Sequence, residues 1–430
     1  MINIVYKNSS DEDYAINGNY ITYNFNDYKY TFWKSKLELL PKFPSIEAID
    51  LLMISLAVYG ADKTIERKVA LDGWKRSIHL HLPVLNLDSM NRCKELLKQT
   101  TNFLTGDIWE FTFRQRELSF EEINIKEQMD QIRMNTIDTD KLCMLSGGLD
   151  SFIGAIDLLE VEESHNIIFI SHYGGGKGTI KYQKALKKKL INKYSILEEN
   201  FYSFYAAPPG GIEKTTRSRS FMFFSHAVAI ASCLDKNIDL FIPENGYISL
   251  NIPLTYSRIG SSSTRTTHPH YMYLFQELIN KLQLKVTLIN PYQFKTKGEM
   301  IFECRNKQFL INNISNTMSC SHPDVGRMQG ESEPRHCGTC LPCVIRRAAI
   351  KFAGIKDETI YHDLNFLSGP TARKNLNSYL LGIEKFDDER AFLYVQMSGP
   401  LDSNILEYES LLKRGIIEMK EVLKDYYGDY

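Results

Sequence analysis

The chain has 430 residues, with 51 Lys and Arg against 52 Asp and Glu and a formal net charge of −1. A hydrophobic fraction of 43% and a charged fraction of 24% exclude a disordered chain. Near-neutrality excludes a strong global attraction to nucleic acid or anionic membrane, and the length predicts two or three domains.

The first 135 residues read as a compact α+β accessory domain (1–135). Residues 14–33 alternate aromatic or β-branched with polar residues, and Asn17-Gly18 is a hairpin-turn dipeptide. Helices are predicted after Ser45, with Glu47 in the first turn, and near Ser89–Thr101. The run SIHLHLPV and the stretch Ile108–Phe113, with Trp109, Phe111 and Phe113 on one side, read as strands. His79 and His81 share a strand face and read as ordinary strand residues. The longest apolar stretch, Leu51–Ala61, is too short for a bilayer, which needs about 20 residues. The N-terminus shows no basic region followed by an apolar block, so a cytoplasmic location is expected.

Lys126–Asp140 reads as a polar link to a second unit, 136–355. There the rhythm changes to strand, loop, helix: strands at Leu142–Leu145, Ile167–Ser171, Asp239–Ile242 and Lys285–Ile289, and helices from Phe152, at Tyr182–Tyr194 and at Phe221–Ala231. This alternation predicts a doubly wound, parallel α/β sheet. Beyond residue 356 a helical C-terminal extension (356–430) is predicted, with a loop near Ser398-Gly399-Pro400. Lys181, Lys184, Lys187, Lys188, Lys189 and Lys193 make one helix basic, either as a solvated face or as a docking surface for an acidic partner or RNA.

Two motifs carry chemistry. Leu145 leads into Ser146-Gly147-Gly148-Leu149-Asp150-Ser151, between an apolar strand and an amphipathic helix. Paired glycines let backbone approach an anion, and the following helix points its N–H groups and dipole at it. Ser146 and Ser151 add hydroxyls, and Asp150 can hold Mg²⁺ directly or through water. Cys320, Cys337, Cys340 and Cys343 crowd into 24 residues, with CxxCxxC spacing suited to a tetrahedral Zn²⁺ site. His322 and His336 leave a Cys₃His variant open, and a redox CxxC or an iron–sulfur cluster are the other readings. Cys143 and Cys233 lie in apolar runs and read as core.

The first loop resembles that of the PP-loop ATP pyrophosphatases, whose HUP-like sheets bind ATP and cleave it between the α and β phosphates. Together and in this order, the two motifs resemble the 7-cyano-7-deazaguanine synthase (QueC) family over about residues 140–350. Ser171-His172-Tyr173-Gly174 resembles that family's nucleotide loop, and Pro291 with Thr296-Lys297-Gly298-Glu299 its late lysine segment. The chain departs from the family where Arg217-Ser218-Arg219-Ser220 replaces a Gly-Arg-Asn signature. It departs again where Glu244-Asn245-Gly246-Tyr247, Asn251-Ile252-Pro253 and Ser263–Pro269 replace the deazaguanine segment. That pattern, with the added N-terminal domain, resembles the QueC-like subgroup of bacterial anti-phage defence operons, the QatC proteins in particular.

The resemblance implies a C–N ligase that uses ATP, Mg²⁺ and Zn²⁺. It would adenylate the carboxylate of 7-carboxy-7-deazaguanine and pass the acyl group to an amine, on a partner protein encoded nearby or as ammonia. ATP would meet Leu145–Gly148, Asp150, Ser151, His172, Tyr173 and Gly174; Asp150, Arg219 and Lys297 would act on the phosphates. The acid would meet Arg217, Glu244, Asn245, Asn251, Arg265, Thr266 and His268. A tRNA-modifying enzyme and a non-catalytic scaffold remain the other readings, with nucleic acid not favoured and no membrane partner expected.

Overall fold

A computed structural model of the chain describes residues 1–8, 13–131, 137–161, 166–174, 177–213, 215–252, 265–326, 330–401 and 404–426. Strands β1 (Ile2–Lys7) and β2 (Ile21–Asn24) come first, followed by a two-residue strand β3 (Lys29–Tyr30). Helix α1 (Ile46–Thr64) starts where the Ser45 hydroxyl accepts from the Ala48 amide, an N-cap of the expected kind. Then come β4 (Ser77–Val84), α2 (Leu87–Thr105) and β5 (Ile108–Gln115). The first sheet has the order β2-β1-β4-β5. Every pairing in it is parallel.

This layer corrects two expectations. The Asn17-Gly18 hairpin does not form: β2 pairs with β1 in parallel, and β3 leaves to join another sheet. With parallel strands and interleaved helices, the N-terminal part is α/β rather than α+β. Local alternation is the same for either strand direction, so the pattern around Asn17 could not choose between them. Trp109, Phe111 and Phe113 do share the buried face of β5. Part of the expected polar link is the helix α3 (Phe120–Gln131); residues 132–136 of that link lie outside the described residues.

The second sheet is built from β6 (Lys141–Met144), β7 (Ile168–Tyr173), β8 (Phe201–Ala207), β9 (Ile238–Phe241) and β10 (Val286–Ile289), in the order β10-β9-β6-β7-β8-β3. These five strands run parallel, and β3 closes the β8 edge antiparallel. The chain goes outward from β6 through β7 to β8, then returns to place β9 on the other flank of β6. The switch point of this doubly wound order lies between β6 and β9, where loops at the strands' C-terminal ends form a crevice. The connections are α4 (Leu149–Val161), α5 (Lys177–Tyr194), α6 (Arg219–Ser232), α7 (Gly246–Leu250) and α8 (Pro269–Lys281).

α1 packs on α6, and one apolar core runs from Ile4 and Trp109 through Leu142 and Phe221 to Val286, joining both sheets. That position explains why α1 is buried nearly all round instead of showing one apolar stripe. The chain continues through α9 (Lys297–Glu303), α10 (Lys307–Ile311) and α11 (Leu341–Phe352), then α12 (Pro370–Glu384), α13 (Ala391–Met397) and α14 (Ile405–Leu423). The last three share a core with Tyr247, Val344 and Ile345, so the C-terminal helices sit against α7 and α11. No helix among the described residues is long and apolar enough to cross a membrane.

Candidate nucleotide site and cysteine cluster

The loop Ser146–Ser151 leaves β6 at the switch point. Gly147 has φ +91°, in the left-handed region where a side chain is strained. A Cβ there would also stand 3.0 Å from Gln183 Cγ. Within the loop, Ser146 Oγ and Ser151 Oγ are 3.0 Å apart. The Gly148 amide donates to Ser146 Oγ and the Leu149 amide to Ser319 Oγ, both at 3.3 Å. Such long bonds are readily exchanged for an anion at the start of α4.

Two outside contacts fix the loop. Met318 donates from its backbone nitrogen to Gly147 O at 2.8 Å. Gln183 Nε2, on α5, donates to Ser146 O and His172 O at 3.0 Å each, tying the ends of β6 and β7 together. Neither residue had a signal in the sequence, because both act through tertiary contact. Leu145 is buried, and its amide donates to Ile170 O.

Asp150, in the first turn of α4, is 4% exposed. Its Oδ1 lies 2.6 Å from Lys297 Nζ, and its Oδ2 accepts from the Asn245 amide at 3.1 Å and from Asn245 Nδ2 at 2.7 Å. Asn245 follows β9, so the two loops of the crevice meet through this carboxylate. Glu244 completes the group beside Asp150. Burial pushes the Asp150 carboxyl up, but the Lys297 ammonium and the hydrogen bonds outweigh it and hold it below its ordinary value. Burial and the adjacent Asp150 charge push Glu244 well above its own. A carboxyl pair of this kind fits a hard divalent cation such as Mg²⁺, while Asn245 turns its amide nitrogen to Asp150 and its oxygen to the Ile248 amide.

The four cysteine sulfurs lie within 4.8 Å of one another. Cys320 Sγ to Cys340 Sγ and Cys337 Sγ to Cys343 Sγ are each 3.9 Å. A tetrahedron with metal–sulfur bonds of about 2.3 Å has edges of about 3.8 Å, so the group fits one tetrahedral thiolate-bound metal. Backbone amides of His322 and Cys337 donate to Cys320 Sγ, and that of Cys340 to Cys337 Sγ. Gly338 lies in this turn at φ +86°, and a Cβ would meet Asp363 O at 1.9 Å. His336 is not a fifth donor; its Nε2 accepts from the Ser319 amide at 3.2 Å. The segment Met318–Cys320 therefore joins the cysteine group to the glycine loop.

Arg219, His172 and Gly174 line a cavity of about 380 Å³ over the ends of β7 and β8. Tyr173 leaves β7 between the last two and rings with Tyr205 at 5.3 Å. Arg217 turns elsewhere: it donates to Thr105 O at 2.9 Å and lies 4.6 Å over the Trp74 ring. Burial and neighbouring Arg67 lower it to about 10. Arg265 donates to Phe103 O at 2.8 Å and stacks on the Phe103 ring. Both arginines thus serve the last carbonyls of α2, where cations favour the helix dipole.

His268 is the buried N-cap of α8, with Nε2 3.1 Å from Ser398 Oγ, and burial lowers it to about 3. Asn251 ends α7 in the left-handed conformation, and Thr266 is half-buried beside Arg265. Residues 253–264, part of the expected deazaguanine segment, lie outside the described residues. The structure therefore gathers Asp150, Glu244, Asn245 and Lys297 in one place and Arg219 with His172 and Gly174 in another. Arg217, Arg265 and His268 are engaged at the junction with α2 and the C-terminal helices.

Similarity to known proteins covers about half of the chain. A 7-cyano-7-deazaguanine synthase of Hydrogenovibrio crunogenus is 24% identical over 255 residues, 53% of this chain and 98% of that protein. Another, from Rickettsia prowazekii, is 24% identical over 247 residues, 51% of this chain and 97% of the relative. A third, from Brucella ovis, is 32% identical over 90 residues, 21% of this chain and 34% of the relative. No protein-family model matches the chain, and no solved structure matches it. About half of this chain is thus QueC-like at low identity.

Proposed function

We propose that the chain is an ATP-dependent adenylating ligase that activates a 7-deazaguanine carboxylate and forms an amide with an amine. The observation that carries this reading is the meeting of a strand–SGGLDS–helix loop with Lys297 and the Asp150–Glu244 carboxyls at the sheet's switch point. Similarity to deazaguanine synthases supplies the substrate class.

A carboxylate oxygen of 7-carboxy-7-deazaguanine attacks the α-phosphorus of ATP, and pyrophosphate leaves. The amine nitrogen then attacks the acyl carbon; AMP leaves with the bonding pair, and the nitrogen loses a proton. Bound at Asp150 and Glu244, Mg²⁺ would neutralise charge on the phosphates. Among the described residues, Lys297 and Arg219 would face developing phosphate charge, as a point charge and a planar fork respectively. The cysteine group would hold Zn²⁺ as a closed structural site.

The acceptor we favour is an amine on a partner protein in an anti-phage defence setting, because the chain resembles QatC proteins and departs from deazaguanine synthases around residues 244–269. The alternative is ammonia, with dehydration to the nitrile. Mixing protein, ATP, Mg²⁺ and 7-carboxy-7-deazaguanine is expected to release pyrophosphate and form the acyl adenylate. Mass spectrometry of co-expressed neighbouring proteins then reads an added deazaguanine. Pyrophosphate release that is independent of the acid would remove the substrate assignment.

A further inference from the structure

The cavity beside Arg219 has a second wall that belongs to the N-terminal layer. Tyr59 and Lys63 of α1 line it together with His172, Gly174, Tyr205, Thr215 and Arg219. None of its lining residues is acidic among those described. Lys63 Nζ donates to Thr215 O at 3.2 Å and keeps further donors for a ligand. His172 is fully buried, and neither of its ring nitrogens has a hydrogen-bond partner. Arg219 has no carboxylate within ion-pair distance among the described residues; Tyr59 is the group that acts on its charge. A half-buried cation and an unpartnered buried imidazole on one cavity mark a place for an acceptor-rich ligand.

The same helix end also holds the loop that carries Arg219. Lys63 O accepts from the Ile212 and Glu213 amides. Asp62 Oδ2 accepts from Ser218 N at 3.3 Å, Ser218 Oγ at 2.7 Å and Thr215 Oγ1 at 3.2 Å. Asp62 is itself fixed by Arg76, which also pairs with Asp107. The N-terminal layer therefore sets the position of residues 212, 213 and 215–219 and supplies a cation of its own.

We propose, building on the adenylating chemistry above, that the N-terminal layer completes the ligand site. Lys63 and Arg219 together grip an oxyanion, a carboxylate or a phosphate, of the bound small molecule, with Tyr59 and Tyr205 beside its planar ring. Asp62 is a positioning residue for Arg219, and Lys63 is a ligand-binding one.

Calorimetric titration of the full chain with two separate probes, ATP and 7-carboxy-7-deazaguanine, and with 7-cyano-7-deazaguanine as the control that lacks the carboxylate, tests this. Lys63→Met is expected to weaken one probe by about tenfold or more, the scale of a lost charged hydrogen bond, and Lys63→Arg to restore most of it. Weakening confined to the acid, with 7-cyano-7-deazaguanine unaffected, assigns the grip to the carboxylate; weakening confined to ATP assigns it to phosphate. Wild type and Lys63→Met binding both probes alike, or wild type binding neither, overturns the proposal. Should Lys63→Met not fold, Lys63→Gln keeps a donor for Thr215 and carries the same comparison. Pyrophosphate release is read separately: Lys63-dependent binding without it leaves the cavity assignment standing and removes the adenylating function.

Discussion

Lys297 Nζ and Asp150 Oδ1 stand 2.6 Å apart, with side chains 3% and 6% exposed, at the point where the loops after β6 and β9 converge. A buried ion pair is weak evidence for net stability, but losing one partner strands a charge at a cost of about 3–5 kcal/mol. In the proposed mechanism the pair would act as storage: the two groups that would face Mg²⁺ and phosphate neutralise each other, and a bound ligand would separate them.

A double-mutant cycle follows from that. Lys297→Met and Asp150→Asn are each expected to lower stability to denaturant by about 3–5 kcal/mol. The double variant should recover much of this, since no unpaired charge remains. Pyrophosphate release should fall by about 100-fold or more in all three. Additive losses in stability would show that the two side chains do not depend on each other.

A metal held by the four cysteines is expected to act on the glycine loop at a distance. Met318 donates to Gly147 O and Ser319 accepts from Leu149, and Cys320 follows directly. Removing the metal, by chelation or by Cys340→Ser, is expected to release one ion per chain. It should also speed amide exchange at Met318 and Leu149 while β1 and β4 stay protected. If those two amides remain as protected as before, the cysteine group does not brace the loop.

Glu418 on α14 ties the C-terminal helices to the start of α9, accepting from the Thr296 hydroxyl and the Gly298 amide. Burial pushes its carboxyl up to about 7, with the two hydrogen bonds and Arg414 opposing and Glu299 adding to the rise. The folded state thus holds this proton more tightly than the unfolded chain does. Its contribution is complete below the ordinary value of about 4.5 and is lost as pH rises through about 7. Asp50, raised to about 6, adds a slope of the same sign. Comparing wild type with Glu418→Gln isolates the first: the wild type should lose its stability advantage, read as melting temperature, between pH 5 and 8. Parallel curves across that range would contradict the assignment.

The motifs that sequence made visible are those whose geometry is set within a few residues. CxxCxxC places sulfurs within one turn and the first turn of α11, and a glycine pair between a strand and a helix makes a loop at a strand's end. Relationships across the chain were not visible. Arg217 and Arg265 look like anion ligands in sequence, yet the C-terminal end of α2 takes both, because its orphan carbonyls are acceptors too and no pattern marks where a helix will dock. Strand β8 went unread since its aromatic and small residues carry no turn signal before Pro208. Gln183, Lys63 and Glu418 have ordinary types at ordinary spacings; only packing brings them to the crevice or its borders.

The C-terminal helices bear on the site through Tyr247. A Cβ at Gly415 of α14 would fall 2.2 Å from Tyr247 Cδ2 and 2.6 Å from Cε2, so Gly415 is the point where α14 lies flat on that ring. Tyr247 also donates to Met419 Sδ at 3.1 Å, and it belongs to the short helix α7 whose N-cap is Asn245. Asn245 in turn donates twice to Asp150. Gly415→Ala should therefore cost about 1–3 kcal/mol by overpacking, despite the better helix propensity of alanine. Pyrophosphate release should fall with it, because a displaced α7 takes Asn245 off the Asp150 carboxylate. Combining Gly415→Ala with Tyr247→Leu opens space for the methyl and is expected to regain part of both losses. Were Gly415→Ala to lower stability and leave pyrophosphate release untouched, α14 would be a covering element with no mechanical hold on the carboxylate.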